Sequence, residues 1–204
     1  MAESPAAPAR LRDRRATEAA IVEAGERILL RDGFPALNVQ TLAAEAGCDR
    51  KLVYRYFEGA DGVVARLAAR AAAELVRALD AAPRAETESL RAFARASLAA
   101  WLSALRSSPL TLRLMAWALV EDTPLLRRIE AERAALLQAW MRERRPRLRV
   151  PPEGDPAALN AVLMAAVQHL ALADGGAVGG LALDESGWPR VIAALDRLLT
   201  AYPN

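Results

Sequence analysis

The sequence contains very few of the residues that build cross-linked or metal-bound frameworks. It has one cysteine, Cys48, and one histidine, His169, in 204 residues. A single cysteine cannot form an intramolecular disulfide, and one cysteine with one histidine cannot complete the ligand set of a zinc site. We therefore expect a chain that is stabilised by packing alone, with no metal or other cofactor.

Long apolar runs are also missing. The longest near-apolar stretch, 157–173, is interrupted by Asn160, Gln168 and His169, and residues 1–16 lack the apolar core of a signal peptide. A membrane-spanning helix needs about 20 consecutive apolar residues. We therefore expect a cytoplasmic protein with no membrane partner.

Sustained alternation of apolar and polar residues is absent, so we expect no strands. Hydrophobic residues make up 53% of the chain and aromatic residues only 5%. Alanine, leucine, arginine and glutamate dominate, and all are good helix formers. The composition therefore predicts an all-α globular protein. The formal net charge is only +2, which excludes a uniformly basic nucleic-acid coat and leaves only a local patch for such contacts.

The first third of the chain has the helix start and stop signals of a helix-turn-helix. Residues 1–13 are expected to form a disordered basic arm, and a helix over 17–31 is expected to stop at Gly33. Asn38 would cap a short helix over 39–46. Gly47 would end that helix, and Asp49 would cap the next one over 50–57. Two short helices joined by a tight glycine turn are typical of DNA-binding domains, here 14–60.

The remainder, 61–204, is predicted to be a second helical domain. Its expected helices follow one another between turn signals, with the first shared between the two domains, and cover residues 60–80, 86–106, 109–120, 124–145, 156–173 and 188–201. The segment "GGAVGG", 175–180, is interpreted as a flexible connector. The arginines at 142–149 are interpreted as a solvated helix end, where cations favour the helix dipole.

The helix over 50–57 has one face of cationic and aromatic residues. Arg50 and Tyr54 are one turn apart, as are Lys51 and Arg55, and Lys51 is the single lysine of the chain. Such a helix fits the major groove, where Arg or Lys can bond guanine and Gln40 of the preceding helix suits adenine. The alternative is a solvated charged helix whose tyrosines cover the core.

Residues 21–57, "IVEAGERILLRDGF...NVQTLAAEAGCDRKLVYRYF", resemble the N-terminal domain of the TetR family of transcriptional regulators. The matching features are Gly33-Phe34 after the first helix, the Leu-Ala...Ala-Gly-Cys stretch over 42–48, and the Tyr-x-x-Phe ending at 54–57. The resemblance implies two sets of DNA contacts. Bases would be contacted by Gln40, Arg50, Lys51 and Leu52, and phosphates by Tyr54, Tyr56, Arg55, Arg12, Arg14 and Arg15.

Three positions depart from the family pattern. Asn38 replaces the usual Thr or Ser cap, and Gly25 replaces a usual alanine, which would loosen the first helix by roughly 1 kcal/mol. Ala60 stands where a phosphate-contacting lysine is common, so the arginine arm would have to compensate. Cys48 occupies a small apolar position, where we expect plain packing, with a redox switch as the alternative.

The resemblance also implies that the second domain binds an effector and forms a homodimer through its last two helices. Apolar faces on both helices are compatible with this, through Leu159, Val162, Leu163, Ala166 and Leu170 on one and Val191, Leu195, Leu198 and Leu199 on the other. Candidate pocket residues are aromatic, Met or small polar side chains. They are Phe93, Ser97, Trp101, Met115, Trp117, Ile129, Trp140, Met164 and His169. His169 fits equally a satisfied buried or interface polar group.

The sequence thus predicts a non-enzymatic, ligand-responsive DNA-binding regulator, and a repressor in particular. Its partners would be an operator duplex, a second copy of the chain and a small, largely apolar effector. An activator of transcription and a helical small-molecule-binding protein remain alternatives, as do an enzyme or carrier that uses the C-terminal cavity and a protein-interaction adaptor.

Overall fold

The computed structural model describes residues 7–82, 89–144 and 156–201, and it is almost entirely helical over them. The all-α prediction is confirmed. In chain order the helices are α1 (Ala7–Asp32), α2 (Val39–Ala46), α3 (Arg50–Phe57), α4 (Ala60–Ala81), α5 (Leu90–Arg106), α6 (Pro109–Ala118), α7 (Pro124–Arg144), α8 (Pro156–Leu172) and α9 (Gly187–Leu198). Two 3₁₀ turns (Phe34–Ala36 and Leu199–Ala201) and two strands of two residues each, β1 (Ala177–Val178) and β2 (Leu181–Ala182), complete the described part.

The chain divides into two compact units. The first runs to Ala71 and also takes in Arg113–Glu130, and the second comprises Ala72–Leu112 and the chain from Ala131 onward. Helices α4, α6 and α7 therefore each contribute residues to both units.

Helix α1 is longer at its N-terminus than expected. It begins at Ala7, so residues 7–13 are helical, and the prediction of a disordered arm is wrong for them. The alanines and arginines of this stretch favour a helix, and Pro8 is tolerated in the first turn, where its missing N–H has no helical partner. An ion pair one turn apart, between Arg14 and Glu18, stabilises the start of the helix further.

The first unit packs its helices around apolar side chains from α1, α2, α3 and α4. Fully buried members are Ile21, Ile28, Leu29, Leu42, Val53, Val63 and Leu67. Helix α1 comes very close to its neighbours at Gly25, where a Cβ atom would lie 2.9 Å from a methyl group of Val63 and 3.3 Å from Leu42. Gly25 thus allows α1 to approach its neighbours closely. This is separate from any loosening of α1 that results from its low helix propensity.

The second unit has its own core, in which α5 packs against α8. Its buried residues come from all its helices and include Leu75, Leu79, Phe93, Trp101, Leu105, Leu163, Val167 and Trp188. Arg144 corrects the interpretation of the C-terminal end of α7 as solvated. Only 11% of its side chain is exposed, and its guanidinium donates to the carbonyls of Leu79 and Ala82 and pairs with Asp80. The end of α4 supplies these acceptors, which sequence spacing does not reveal.

The connector between α8 and α9 contains a small β-hairpin, so the expectation of no strands and of a flexible "GGAVGG" segment is wrong here. Strand β1 pairs antiparallel with β2. Gly179 and Gly180 form the two-residue loop with φ of 57° and 81°, the backbone that a tight hairpin turn requires. Strands of two residues are too short to show alternation.

Candidate nucleic-acid interface

The helix-turn-helix is built as its end signals predict. The Asn38 side chain accepts hydrogen bonds from the N–H groups of Gln40 and Thr41 and starts α2. Gly47 ends α2 in the left-handed conformation, with φ 65° and ψ 35°. The Asp49 side chain then accepts from the Lys51 N–H at 2.8 Å and starts α3. Because both caps and the turn depend on local chemistry, α2 and α3 agree with the predicted bounds.

Helix α3 separates its side chains cleanly between core and surface. Val53 is fully buried, and Leu52, Tyr56 and Phe57 are half-buried. Arg50, Lys51, Tyr54 and Arg55 are exposed, with 58% of Tyr54 accessible. We call these four residues the recognition face. Gln40 of α2 is also exposed, so every residue predicted to contact bases retains accessible surface, although for Leu52 this is only part of the side chain.

The three cations of the recognition face are uncompensated. Within residues 7–82, 89–144 and 156–201, no ion pair involves Arg50, Lys51 or Arg55. Nearby arginines behave differently. Arg27 and Arg31 of α1 both pair with Glu45 of α2, at 2.8 and 3.2 Å. Arginines that hold the helices together are therefore neutralised, whereas the cations of the recognition face are left to attract an anionic partner.

A notch of about 540 Å³ separates α2 from α3 beside the recognition face. Its lining residues are Gln40, Ala43, Ala44, Cys48, Asp49, Arg50 and Lys51. Donors at its rim and small alanines on its wall leave room for base edges to approach between the helices. Sequence reasoning identified Gln40, Arg50 and Lys51 but not the alanines, whose only signal is their small size one turn after Gln40.

The arginines of α1 have different environments. Arg14 pairs with Glu18 at 2.7 Å and lies 5.3 Å above the ring of Tyr56. Arg15 is exposed and forms no ion pair with any residue that the structure describes. The Arg12 side chain lies outside the described residues. Because Arg14 rests on Tyr56, these two predicted phosphate contacts are adjacent, which the sequence alone did not indicate.

Cys48 is half-buried in the wall of the notch. Burial raises the pKa of its thiol, and the negative charge of Asp49 raises it further. The thiolate is the reactive form of cysteine. The environment of Cys48 thus keeps it protonated at neutral pH and favours the packing role over the redox one.

The candidate effector residues are divided between the two units. Met115, Trp117 and Ile129 belong to the first unit, where Trp117 stacks on Phe34. The others belong to the second unit, where Phe93, Ser97, Trp101 and Trp140 are buried and Met164 is half-buried. His169 is exposed on α8, so it is not a buried polar group in the single chain.

Comparison with known proteins identifies the first unit. Residues 21–67 match the family described as bacterial regulatory proteins, tetR family. The chain carries a TetR-family domain. This match contains α2, α3 and the start of α4, so the resemblance predicted from residues 21–57 is confirmed. A TetR-family domain binds DNA, and the chain is accordingly a DNA-binding regulator of transcription and not an enzyme.

Solved structures share the fold over nearly the whole chain. A TetR family transcription regulator from Marinobacter aquaeolei VT8 is 20% identical, with a TM-score of 0.62, over 95% of this chain and 98% of that one. A putative TetR-family regulator from Rhodococcus sp. is 19% identical, with a TM-score of 0.64, over 90% and 98%. A complex of SmeT with triclosan is 18% identical, with a TM-score of 0.56, over 93% and 92%. No protein of curated function matches the chain.

Over residues 7–82, 89–144 and 156–201 no helix combines the length and apolarity that a bilayer crossing requires. The same residues contain no cluster of three or more His, Cys, Asp or Glu side chains suited to a metal ion.

Proposed function

We propose that the chain is a repressor that binds a pseudo-palindromic operator as a homodimer. The observation that carries this proposal is the exposed, uncompensated recognition face beside the α2–α3 notch. Gln40, Arg50, Lys51 and Leu52 would contact base edges. Phosphates would be bound by Tyr54, Arg55, Tyr56, Arg14, Arg15 and Arg12. Two copies would place their α3 helices in half-sites about one helical turn apart.

An apolar stripe on α8 supports the dimer. Ala161, Val162, Ala165 and Ala166 are all exposed and recur every three to four residues, and the exposed His169 follows on the same side of the helix. The opposite side of α8 buries Leu163, Val167 and Ala171 in the core of the second unit. A helix that is apolar on all sides is normally buried on all sides. Ile192 and Leu198 of α9, 47% and 57% exposed, add further exposed apolar surface.

Effector control is the second part of the proposal. The second unit would bind a small, largely apolar molecule and release the operator. One structural relative, SmeT, has been solved in complex with triclosan. Helix α4, which contributes to both units, would act as the lever. The effector can shift the DNA-binding equilibrium only by its differential affinity for the two conformations, and a shift from 1:99 to 99:1 needs about 5.5 kcal/mol.

Transcription in a purified system tests the proposal. The operator would be placed across a promoter in one template and well upstream of it in another. A repressor reduces transcription from the first template and leaves the second unchanged. Increased transcription from the upstream template would establish an activator. DNA binding without any effect on either template would contradict the regulatory proposal.

A further inference from the structure

One carboxylate lies among the cations of the candidate interface. Asp49 lines the notch between α2 and α3 together with Gln40, Arg50 and Lys51, and its side chain is exposed. One of its oxygens, Oδ1, accepts from the Lys51 N–H at 2.8 Å and caps α3. The other, Oδ2, accepts no hydrogen bond from any residue that the structure describes. Asp49 thus brings to the notch an acceptor that no described residue uses.

Asp49 also keeps its charge without a cationic partner. It forms no ion pair within the described ranges, although two cations follow it directly in the sequence. Other carboxylates of the first unit do pair with arginines, as Glu45 does with Arg27 at 2.8 Å. The charge extends its effect into the notch wall. Burial raises the pKa of the Cys48 thiol, and the Asp49 charge raises it further.

Helix capping requires an oxygen at position 49 but not a charge. Asparagine and serine cap a helix about as well as aspartate, and the chain uses Asn38 to start α2 and Ser89 to start α5. A negative charge beside a DNA-binding helix repels the phosphates of any duplex. The carboxylate of Asp49 therefore opposes DNA binding in general, and it favours binding only where a base donates a hydrogen bond to it.

The major-groove edges of the four bases differ in what they offer a carboxylate. Cytosine presents its N4 amino group alone, and adenine presents its N6 amino group beside the N7 acceptor. Guanine and thymine present only acceptors, and an ionised carboxylate cannot donate. Cytosine is therefore the base that Asp49 favours. The guanine paired with it presents two acceptors, which suit Arg50 or Lys51. An acceptor beside two cationic donors is thus complementary to a C·G pair.

We infer that Asp49 reads cytosine in each half-site of the operator. Its Oδ2 atom accepts a hydrogen bond from the N4 amino group, while Arg50 or Lys51 donates to the guanine of the same base pair. The inference rests on the proposed function, because it requires the notch to face base edges. The charge of Asp49 gives specificity mainly by repulsion, since it disfavours the three bases that place an acceptor before it.

Two variants of the full chain separate base reading from capping. Asp49→Asn and Asp49→Ser both keep a capping oxygen and remove the charge. Fluorescence anisotropy at fixed salt compares operators in which each base pair of the half-site is varied in turn. The natural protein should favour cytosine at one position about tenfold over each other base. Asp49→Asn should change that preference to adenine, because asparagine bonds both N6 and N7, and Asp49→Ser should lose it.

Binding to a duplex of random sequence should change in the opposite direction. Removal of one negative charge should strengthen this binding about threefold in Asp49→Asn, while binding to the operator weakens. Glu58→Gln is the matched control, because Glu58 is an exposed carboxylate at the other end of α3. It removes the same charge and should leave the preference for cytosine unchanged.

A modified base tests the same contact without any change in the protein. 2-Pyrimidinone in place of the favoured cytosine lacks only the N4 amino group. The natural protein should bind this operator about tenfold more weakly. The same replacement at a cytosine outside the half-sites is the control for altered base pairing, and it should leave the affinity unchanged.

Three results would overturn the inference. One is the same preference for cytosine in the natural and Asp49→Asn proteins. Another is unchanged affinity for the operator with 2-pyrimidinone. The last is an operator without a cytosine preference at any position. In all three cases the protein still selects an operator, so the proposed function stands. A natural protein that selects no motif would contradict the proposed function and the role of Asp49 together.

Discussion

The ring of Phe34 stacks on the indole of Trp117, with the ring centroids 3.3 Å apart and the planes inclined by 20°. Phe34 belongs to the Gly33-Phe34 pair that ends α1, and Trp117 lies near the end of α6. This contact joins the turn before α2 to a segment distant in sequence, and both residues lie in the first unit. The DNA-binding unit is therefore stabilised by Arg113–Glu130 as well as by its own first 71 residues.

Removing either ring should destabilise the first unit. Phe34→Ala and Trp117→Ala are each expected to lower the free energy of unfolding by about 3 kcal/mol, and the double variant by less than the sum. The coupling energy should be about 1 kcal/mol, as for other aromatic pairs. Urea unfolding of the four proteins measures it. Strictly additive losses would show that the stack contributes no energy of its own.

The recognition face should separate base reading from phosphate binding. Arg50→Ala or Lys51→Ala is expected to weaken operator binding by about 1–3 kcal/mol and to relax the preference at one base pair of each half-site. Tyr54→Phe should weaken binding to all sequences alike. Fluorescence anisotropy with the operator and with single-base variants, at fixed salt, distinguishes the two patterns. Unchanged affinity and preference in both Arg50→Ala and Lys51→Ala would rule out the assigned face.

The close contact at Gly25 and helix propensity predict opposite effects of an alanine there on stability. Alanine would favour α1 by about 1 kcal/mol, but its Cβ would lie 2.9 Å from a methyl group of the stiff Val63 side chain. Overpacking of a core costs about 1–3 kcal/mol. We therefore expect Gly25→Ala to lower stability by about 1 kcal/mol in urea unfolding. Ala19→Gly, at an exposed position of α1, is the control for helix propensity alone. It should also lower the free energy of unfolding by about 1 kcal/mol. A more stable Gly25→Ala protein would contradict the close approach.

Asp174 should make stability dependent on pH in the acid range. Desolvation raises the pKa of its carboxyl group, but the hydrogen bonds from Trp188 and Arg106 together outweigh this and hold the pKa below its usual value. A carboxyl whose pKa falls on folding stabilises the protein above the unfolded value, about 3.9, and this contribution is lost as pH decreases through the lower folded value.

Asp174→Asn is accordingly expected to be about 1 kcal/mol less stable than the natural protein at pH 7. The difference should begin to narrow as the pH falls below about 4, where the carboxyl group of the unfolded chain takes up a proton, and should be lost only below the lower pKa of folded Asp174. Urea unfolding at several pH values measures both quantities. A difference that stays constant down to pH 3 would contradict the role given to the carboxylate charge.

The exposed stripe on α8 should control the oligomeric state. Val162→Glu places a charge on an apolar side chain that is 65% exposed in the single chain. If the stripe is an interface, the charge would be buried without a partner, and the dimer should dissociate about 100-fold more readily. Sedimentation measures this, with exposed Glu185→Gln as the control. A Val162→Glu protein that dimerises normally would exclude α8 from the interface.

Sequence reasoning succeeded where structure depends on neighbouring residues. Asn38, Gly47 and Asp49 act within one helical turn of the ends that they define, so α2 and α3 were predicted with the bounds observed. The outward face of α3 followed from helical spacing in the same way. The helical start of α1 was missed, because Pro5, Pro8 and several alanines suggested disorder in a stretch that forms the first turns of the helix.

Features that depend on distant residues could not be predicted. The clearance at Gly25 is set by Val63, and the acceptors of Arg144 come from the end of α4. The buried indole N–H groups of Trp101 and Trp140 have no hydrogen-bond acceptor among the described residues. Spacing could place these tryptophans on helices, but it could not tell them apart from Trp188, whose acceptor lies fourteen residues away.

Selection of random duplex DNA by the purified protein, at fixed near-physiological salt, tests the central claim most directly. The account predicts enrichment of a two-fold symmetric motif with half-sites about one helical turn apart. The same selection with Arg50→Ala should lose sequence information at the contacted base pair. A folded protein that enriches no motif, or an Arg50→Ala variant that enriches the same motif equally well, would contradict the assignment of α3 as the DNA-reading helix.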